Sequence, residues 1–298
     1  ADIVMSLLVG NTVIVKPSEH TPLVGLLIEE IFKEAGLPDY VLTIATGDGS
    51  TGAALIQPGI EKILFTGSVR TGKTIMRNAA EYLIPVVLEL GGKDPMIVCP
   101  DVDIDVVSSA AIWGAFTNSG QTCAAVERLY VHESIANAFI EQTVTKTKKL
   151  RQGVGNTLHV DIGSMTSLEQ LKIVESHVED ARLHHANILT GGQRNPDFKG
   201  FFYEPTVVTG VDHSLKLLYE ETFGPVLPIM PYRTEDEVVE LANDSPYGLT
   251  ASVWTQDQAY GDKLAKRLRT GTVSVNDALT TFALCQTPWG GCKNSGIG

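Results

Sequence analysis

The sequence predicts an α/β fold, with a parallel sheet over the first 100 residues. Three observations carry that expectation. Short β-branched runs alternate with amphipathic helical stretches along most of the chain. The runs are apolar throughout, as strands covered on both faces are. The composition is that of a globular chain with a sizeable core, 43% hydrophobic and 19% charged over 298 residues. Such a length suits about two domains, and crossovers between parallel strands are right-handed by default.

Taken in order, "TVIVK" at 12–16 reads as the first strand. "PLVGLLIEEIFKEAG" at 22–36 follows as a helix, with apolar residues at helical spacing, Pro22 suited to the first turn and Gly36 as the stop. "YVLTIAT" at 40–46 is strand-like, 51–57 a short helix, "KILFTG" at 62–67 a strand, 72–83 a helix and "PVVLEL" at 85–90 a strand. Gly91 and Gly92 then end a strand and permit a hinge, which places a domain boundary after residue 92. The pattern resumes with "PMIVC" at 95–99 and a helix over 103–118 with Asp103 at its start. "RLYVH" at 128–132 is a strand and 134–150 an amphipathic helix. A helix over 167–185, a strand near 204–209, a strand at 226–232 and a helix at 235–243 come next. A strand at 250–255, a helix at 257–269 and "GTVSVN" at 271–276 complete the series. The expected division is 1–92, 93–280 and a closing segment 281–298. Both ends read as cut: the chain begins inside an amphipathic helix and stops at "NSGIG".

Charge and cysteine use narrow the function classes. Against 23 basic residues stand 35 acidic ones, a net charge of −12 that repels nucleic acid in general. No apolar run reaches the length of a membrane-spanning helix, and no basic stretch leads into an apolar leader. Cys99, Cys123, Cys285 and Cys292 form no C-x-x-C pair, so reduced thiols in a cytoplasmic compartment are the simplest reading. No H-x-x-x-H pattern occurs, and no metal site is expected.

Several motifs suit chemistry, and each has a plain alternative. "FTGSVRTGK" at 65–73 ends a strand at Gly67 and opens a helix at Gly72, where backbone N–H groups suit a pyrophosphate. The same stretch matches the P-loop expression, so a P-loop is a rival at this point. Lys16 and Glu19 follow the first strand, where a carboxylate pairs with ribose hydroxyls; the alternative is solvated loop charge with Ser18 or Thr21 as a cap. Glu89 ends an apolar run, either as an edge residue or as a half-buried base. Cys123 in "NSGQTCAA" lies where small residues allow a tight loop with free amides, yet a lone free cysteine is more often buried filler. "YEETFGPVLPI" at 219–229 and "PWGGCKNSGIG" at 288–298 remain unassigned on composition alone.

In this order and spacing the segments resemble the aldehyde dehydrogenase superfamily over nearly the whole chain. The resemblance rests on "GNTVIVKPSEHTP", "FTGSVRTG", "LELGGKDP", "GQTCAA", "EETFGPV", "NDSPYGLTASVWT", "GTVSVN" and "PWGGCKNSGIG". It implies a Rossmann-like cofactor domain fragment at 1–92, an α/β catalytic domain at 93–280, and 281–298 returning toward the cofactor domain. It replaces the P-loop reading with a nicotinamide-cofactor turn that includes Gly67, Ser68 and Gly72. It implies Cys123 as nucleophile, Glu89 as general base, Lys16 and Glu19 on the adenosine ribose, and Glu221 and Phe223 on the nicotinamide ribose and ring. Asn276 resembles a structural asparagine near the cysteine loop.

The implied reaction oxidises an aldehyde to its acid with NAD, through a cysteine thiohemiacetal and thioester. NADP is disfavoured because the Glu19 carboxylate repels a 2′-phosphate. A coenzyme A-acylating enzyme and a non-catalytic relative are the rivals; Glu89 argues against the first, and the filled chemistry positions argue against the second. Trp113, Phe116 and Thr122 are candidates for lining a substrate tunnel, and an uncharged medium or long-chain aldehyde is preferred. The resemblance further implies a homodimer or homotetramer at full length. It places the family's oxyanion asparagine upstream of residue 1, so that 1–298 alone would be nearly inactive.

Overall fold

A computed structural model describes residues 2–155, 159–284 and 286–298. The chain forms two compact units, one of the residues up to Thr66 together with Arg70–Val87, the other of Gly67–Val69 and Leu88–Gly298. The break falls inside a strand, just ahead of Gly91 and Gly92.

The smaller unit alternates strands and helices. Its elements are α1 (Asp2–Leu8), β1 (Val13–Val15), α2 (Pro22–Glu34), β2 (Leu42–Ile44), α3 (Gly49–Leu55) and β3 (Ile63–Thr66). Most of α4 (Val69–Ala80) follows, and then the start of β4 (Val86–Glu89), whose end belongs to the larger unit. β1 and β2 pair in parallel, Val13 opposite Leu42. Pro22 opens α2, and Gly36, at φ +89°, lets the chain turn away after it. Asp48 caps α3, its Oδ1 accepting from Ser50 N at 2.8 Å.

The larger unit carries β5 (Asp94–Val98), α5 (Ile104–Phe116), β6 (Val126–His132), α6 (Glu133–Thr147), α7 (Leu168–Leu183), β7 (Asn187–Thr190) and β8 (Thr206–Thr209). It continues with α8 (Lys216–Tyr219), β9 (Val226–Tyr232), α9 (Glu235–Asn243), β10 (Thr250–Trp254), α10 (Gln258–Ala265), β11 (Thr272–Val275) and β12 (Gly296–Ile297). Seven strands form one sheet in the order β11-β10-β5-β6-β9-β8-β7. Alternate residues face opposite layers, as the strand period of two requires. Met96, Val98, Leu129 and Val131 share a core with Ala111 and Ala115 of α5 and Phe139 of α6. Ile97 and Tyr130 face Val238 of α9 and Leu264 of α10. Each fully buried aliphatic side chain contributes roughly 1.5–3 kcal/mol, which explains why these strands tolerate no polar alternation. Helix starts are fixed by caps: Asp103 for α5, Ser167 for α7, a reciprocal Thr234–Glu237 box for α9 and Asp257 for α10.

The large sheet is parallel except at its edge, where β7 runs antiparallel to β8, with Asn187 opposite Thr209. No helix lies between these two strands to carry the chain back across the sheet, and an antiparallel bridge between Arg194 and Tyr203 folds the connection on itself. β12 likewise pairs antiparallel with the end of β4, Gly296 opposite Glu89. Among the described residues no helix is long and apolar enough to cross a membrane. Cys99, Cys123 and Cys292 are free thiols, while Cys285 lies outside the described residues.

Candidate active site

The candidate site gathers at the amino ends of the large sheet, where Asp94 opens β5, the Cys123 loop leads into β6 and Glu221–Phe223 precede β9. The cysteine loop begins where α5 stops. Asn118, Ser119 and Gly120 all take left-handed backbone conformations, with φ of 53°, 58° and 70°. For the two non-glycine residues this costs on the order of 1–3 kcal/mol each and persists only where the surroundings dictate it. They do. Asn118 Nδ2 donates to Gln121 O at 2.9 Å, and Ser119 Oγ donates to Gly163 O at 3.2 Å. Gln121 is held at both ends of its amide, Nε2 donating to Ser164 O at 3.3 Å and Oε1 accepting from Thr166 N at 2.8 Å. Cys123 is thus displayed between an over-determined turn and the buried start of β6.

Gly91 and Gly92 join this loop to the strand end that carries Glu89. A Cβ on Gly92 would lie 2.2 Å from Cys123 O, and one on Gly91 would lie 2.3 Å from Glu221 Oε2. Only glycine allows three segments to meet this closely. Gly92 N donates to Glu221 Oε1 at 3.1 Å, and Ser295 Oγ donates to Gly91 O at 2.6 Å. The backbone of Glu89 is fixed by Gly67 N, which donates to Glu89 O at 3.0 Å. Glu89 Oε2 is buried, and Oε1 lies beside Gly290, 3.7 Å from where a Cβ would stand.

Burial governs the electrostatics. It pushes the Cys123 thiol up to about 11, with the Asp94 and Glu221 carboxyls adding to the shift, while the amides of Ala124 and Cys123 oppose it. Burial raises Glu221 to about 7, with Glu127 adding to the shift and Gly92 N–H and Lys93 opposing it. Asp94, fully enclosed and bonded to Thr250 Oγ1 at 2.5 Å, is raised to about 8 by burial. A separate cavity of about 290 Å³ opens at the carboxyl ends of the strands, lined by Cys99, Asp101, His132, Tyr232 and Tyr260 among others. Burial pushes the Cys99 thiol up to about 11 as well.

In the smaller unit Lys16 and Glu19 sit together past the end of β1. Lys16 Nζ donates to Gly47 O at 3.0 Å and to Glu19 Oε2 at 3.4 Å. Gly72 is buried within α4 of that unit. In the larger unit Gly67 lies beside the end of β4, followed by Ser68. Two expectations change. Phe116 is 1% exposed and belongs to the core with Met96 and Leu129, so it lines no tunnel, whereas Trp113 is 57% exposed and Thr122 half-buried. Asn276 exchanges bonds with Thr255, its Oδ1 accepting from Thr255 N at 3.0 Å and its Nδ2 donating to Thr255 O at 2.8 Å, and so shapes the turn after β10. The sequence reading missed Gln121, Lys93 and Glu127. The available signal was charge inside apolar runs, a lysine after "ELGG" and a glutamate within "VERLYV".

In the smaller unit half-buried Lys16 pairs with exposed Glu19, and in the larger unit the Glu221 carboxyl is held against Gly91 and Gly92; each is a polar group of the kind that suits a ribose hydroxyl. The model of the aldehyde dehydrogenase family matches residues 1–298. A 4,4'-diapolycopene aldehyde oxidase of Methylomonas is 44% identical over 298 residues, covering 100% of this chain and 55% of its own length. A Mycobacterium ulcerans protein named for succinate-semialdehyde dehydrogenase [NADP(+)] 2 is 40% identical over 299 residues, covering 100% of this chain and 58% of its own. The chain therefore spans little more than half the length of these curated relatives. A crystal structure of Mycobacterium tuberculosis aldehyde dehydrogenase complexed with NAD+ aligns with a TM-score of 0.94 at 38% identity, covering 98% of this chain and 60% of that one. Matched from its first residue to its last and alike in fold to a solved member, the chain belongs to the aldehyde dehydrogenase family.

Proposed function

We propose that the intact protein oxidises an aldehyde to its carboxylic acid with NAD by covalent catalysis on Cys123. The observation that carries this is the glycine pair, which brings the Cys123 loop and the Glu221 carboxylate against the end of the strand bearing Glu89. The Cys123 sulfur attacks the aldehyde carbonyl carbon as its proton passes to water, and the amides of Ala124 and Cys123 favour the sulfur's loss of that proton. The tetrahedral thiohemiacetal that forms on Cys123 keeps the former carbonyl oxygen as an oxyanion or hydroxyl. NAD, when bound, supplies the hydride acceptor that converts this adduct to a thioester. Glu89 then takes a proton from water as the water oxygen attacks the thioester carbon, and returns it to the departing Cys123 sulfur, releasing acid and thiol. Lys16, Glu19, Gly67, Ser68, Gly72, Glu221 and Phe223 hold the cofactor in this reading. Glu19, exposed and held below the usual carboxylate range by its own backbone amide and Lys16, favours NAD, since its negative charge repels a 2′-phosphate. The preferred substrate is an uncharged medium or long-chain aldehyde, with Trp113 and Thr122 toward it.

Rapid-mixing NADH release on the intact protein, run over an aldehyde panel with NAD and NADP and with and without coenzyme A, tests the reading. The parent should favour NAD and yield free acid without coenzyme A. Cys123→Ser should abolish NADH formation. Glu89→Gln should give one burst of NADH and then stall. Unimpaired turnover in Cys123→Ser would overturn the assignment.

A further inference from the structure

A buried ion pair outside the reacting residues holds the segment that carries Glu221 and Phe223. Lys93 and Glu127 are 1% and 3% exposed, and Lys93 Nζ lies 2.6 Å from Glu127 Oε2. Burying such a pair costs more than packing two apolar side chains of equal volume, so it calls for a reason beyond stability. The hydrogen bonds give one. Glu127 Oε2 also accepts from Thr222 N at 2.7 Å, and Oε1 accepts from Phe223 N at 2.8 Å. Lys93 Nζ donates to Thr222 Oγ1 at 3.0 Å. Gln170 Nε2 donates to Thr222 O at 2.8 Å, and His177 Nδ1 stands 3.2 Å from Thr222 Oγ1. The other ring nitrogen, His177 Nε2, lies 3.5 Å from Glu220 Oε2. Every polar atom of Thr222 is therefore held, by Gln170 and His177 of α7, by Glu127 of β6 and by Lys93 just ahead of β5.

Phe223 shows what this anchoring secures. Its φ is +47°, a left-handed conformation that a bulky aromatic residue keeps only when the surroundings impose it. Glu127 accepts from the amides of both Thr222 and Phe223, and Gly92 N donates to the Glu221 carboxyl. We propose that Glu127, with Lys93 as its counter-ion, is a positioning residue that sets the backbone of 221–223 for engagement of the cofactor's nicotinamide ribose. This rests on the proposed NAD-dependent activity, because it is that reading which puts Glu221 and Phe223 on the cofactor.

The test compares the intact parent with E127Q and with the double variant K93M/E127Q, which removes both buried charges. Three quantities are read: amide exchange at Thr222 and Phe223, the KM for NAD against the KM for aldehyde, and Tm. In E127Q, exchange at both amides should rise and the KM for NAD should increase about tenfold or more, as expected for a lost charged hydrogen bond. The KM for aldehyde should stay within about twofold. The double variant should regain most of the lost Tm, because no unpaired charge remains, while exchange and the KM for NAD stay raised. Unchanged exchange in E127Q overturns the anchoring, and unchanged KM for NAD despite faster exchange overturns the link to the cofactor. So does a double variant that restores NAD affinity together with Tm. A parent that binds no NAD sinks the proposed function itself, an outcome distinct from any difference between parent and variant.

Discussion

Gly92→Ala puts the junction at the heart of the site under direct test. The added Cβ would stand 2.2 Å from Cys123 O and 3.0 Å from Asp94 Oδ1. Ordinary contact needs more than about 3 Å, so either the cysteine loop or the glycine strand must retreat by about 1 Å. Neither is a flexible side-chain tip. The strand is tied through Gly91 O to Ser295 and through Gly92 N to Glu221, and the loop is tied through Gln121 to Ser164 and Thr166. Overpacking of this kind costs about 1–3 kcal/mol of stability, which a domain stable by about 5–15 kcal/mol survives. A displacement of about 1 Å at the nucleophile costs about a hundredfold in rate. The expected result is a folded protein with a modestly lowered Tm and kcat down by about two orders of magnitude. Steady-state aldehyde oxidation read beside thermal unfolding measures both. Gly49→Ala is the control, since a Cβ there meets nothing within 4 Å and should leave both readings alone. The reasoning fails if Gly92→Ala keeps kcat within about twofold of the parent while remaining folded.

Two further expectations concern titration. Glu221 is raised to about 7 by burial, so it is neutral below that pH and ionised above it. If its carboxylate accepts from ribose hydroxyls, NAD should bind more tightly as pH rises from about 6 to 8; calorimetric titration should show this for the parent and a flat profile for Glu221→Gln. Asp94, raised to about 8, holds its proton in the folded state at pH values where the unfolded chain has released it. The folded state then binds more protons than the unfolded one, so this group makes stability fall as pH rises from about 4 to about 8. Asp94→Asn should remove that part of the slope in urea melts across the range, and should speed alkylation of Cys123 above about pH 8, where the ionised Asp94 otherwise opposes the thiolate. An unaltered slope would show that Asp94 ionises freely in the folded chain.

What could be read from the sequence was what depends on near neighbours. The helix at 235–243 matches α9 at both ends because the Thr234–Glu237 box and the apolar spacing sit within it. The buried strands announced themselves by unbroken apolar runs. β7 did not, because "NILT" owes its place to pairing with β8 across a connection that holds no helix. The same limit applied to the site. Cys123, Glu89 and Glu221 stood in motifs, but the left-handed run at 118–120 depends on bonds to residues 163–166, more than forty positions away. Phe116 misled for a related reason: an apolar helix face does not say which of its residues turns to the sheet.

Cys123 and Cys99 sharpen that distinction. Burial raises both thiols to about 11, so at pH 7 only about one molecule in ten thousand carries either as thiolate. Resting acidity therefore cannot be what would separate the proposed nucleophile from Cys99. Position can. Cys99 ends a strand, with Tyr232 opposing its shift and Asp101 and Glu235 adding to it. Cys123 ends a strained turn, with the amides of Ala124 and Cys123 opposing its shift and the glycine pair bringing in the strand of Glu89. On the proposed function, a thiol so placed gains its reactivity when its proton leaves during attack, in surroundings that are already fixed and need not reorganise. The bonds of Asn118, Ser119 and Gln121 hold that strained turn in place before any substrate arrives.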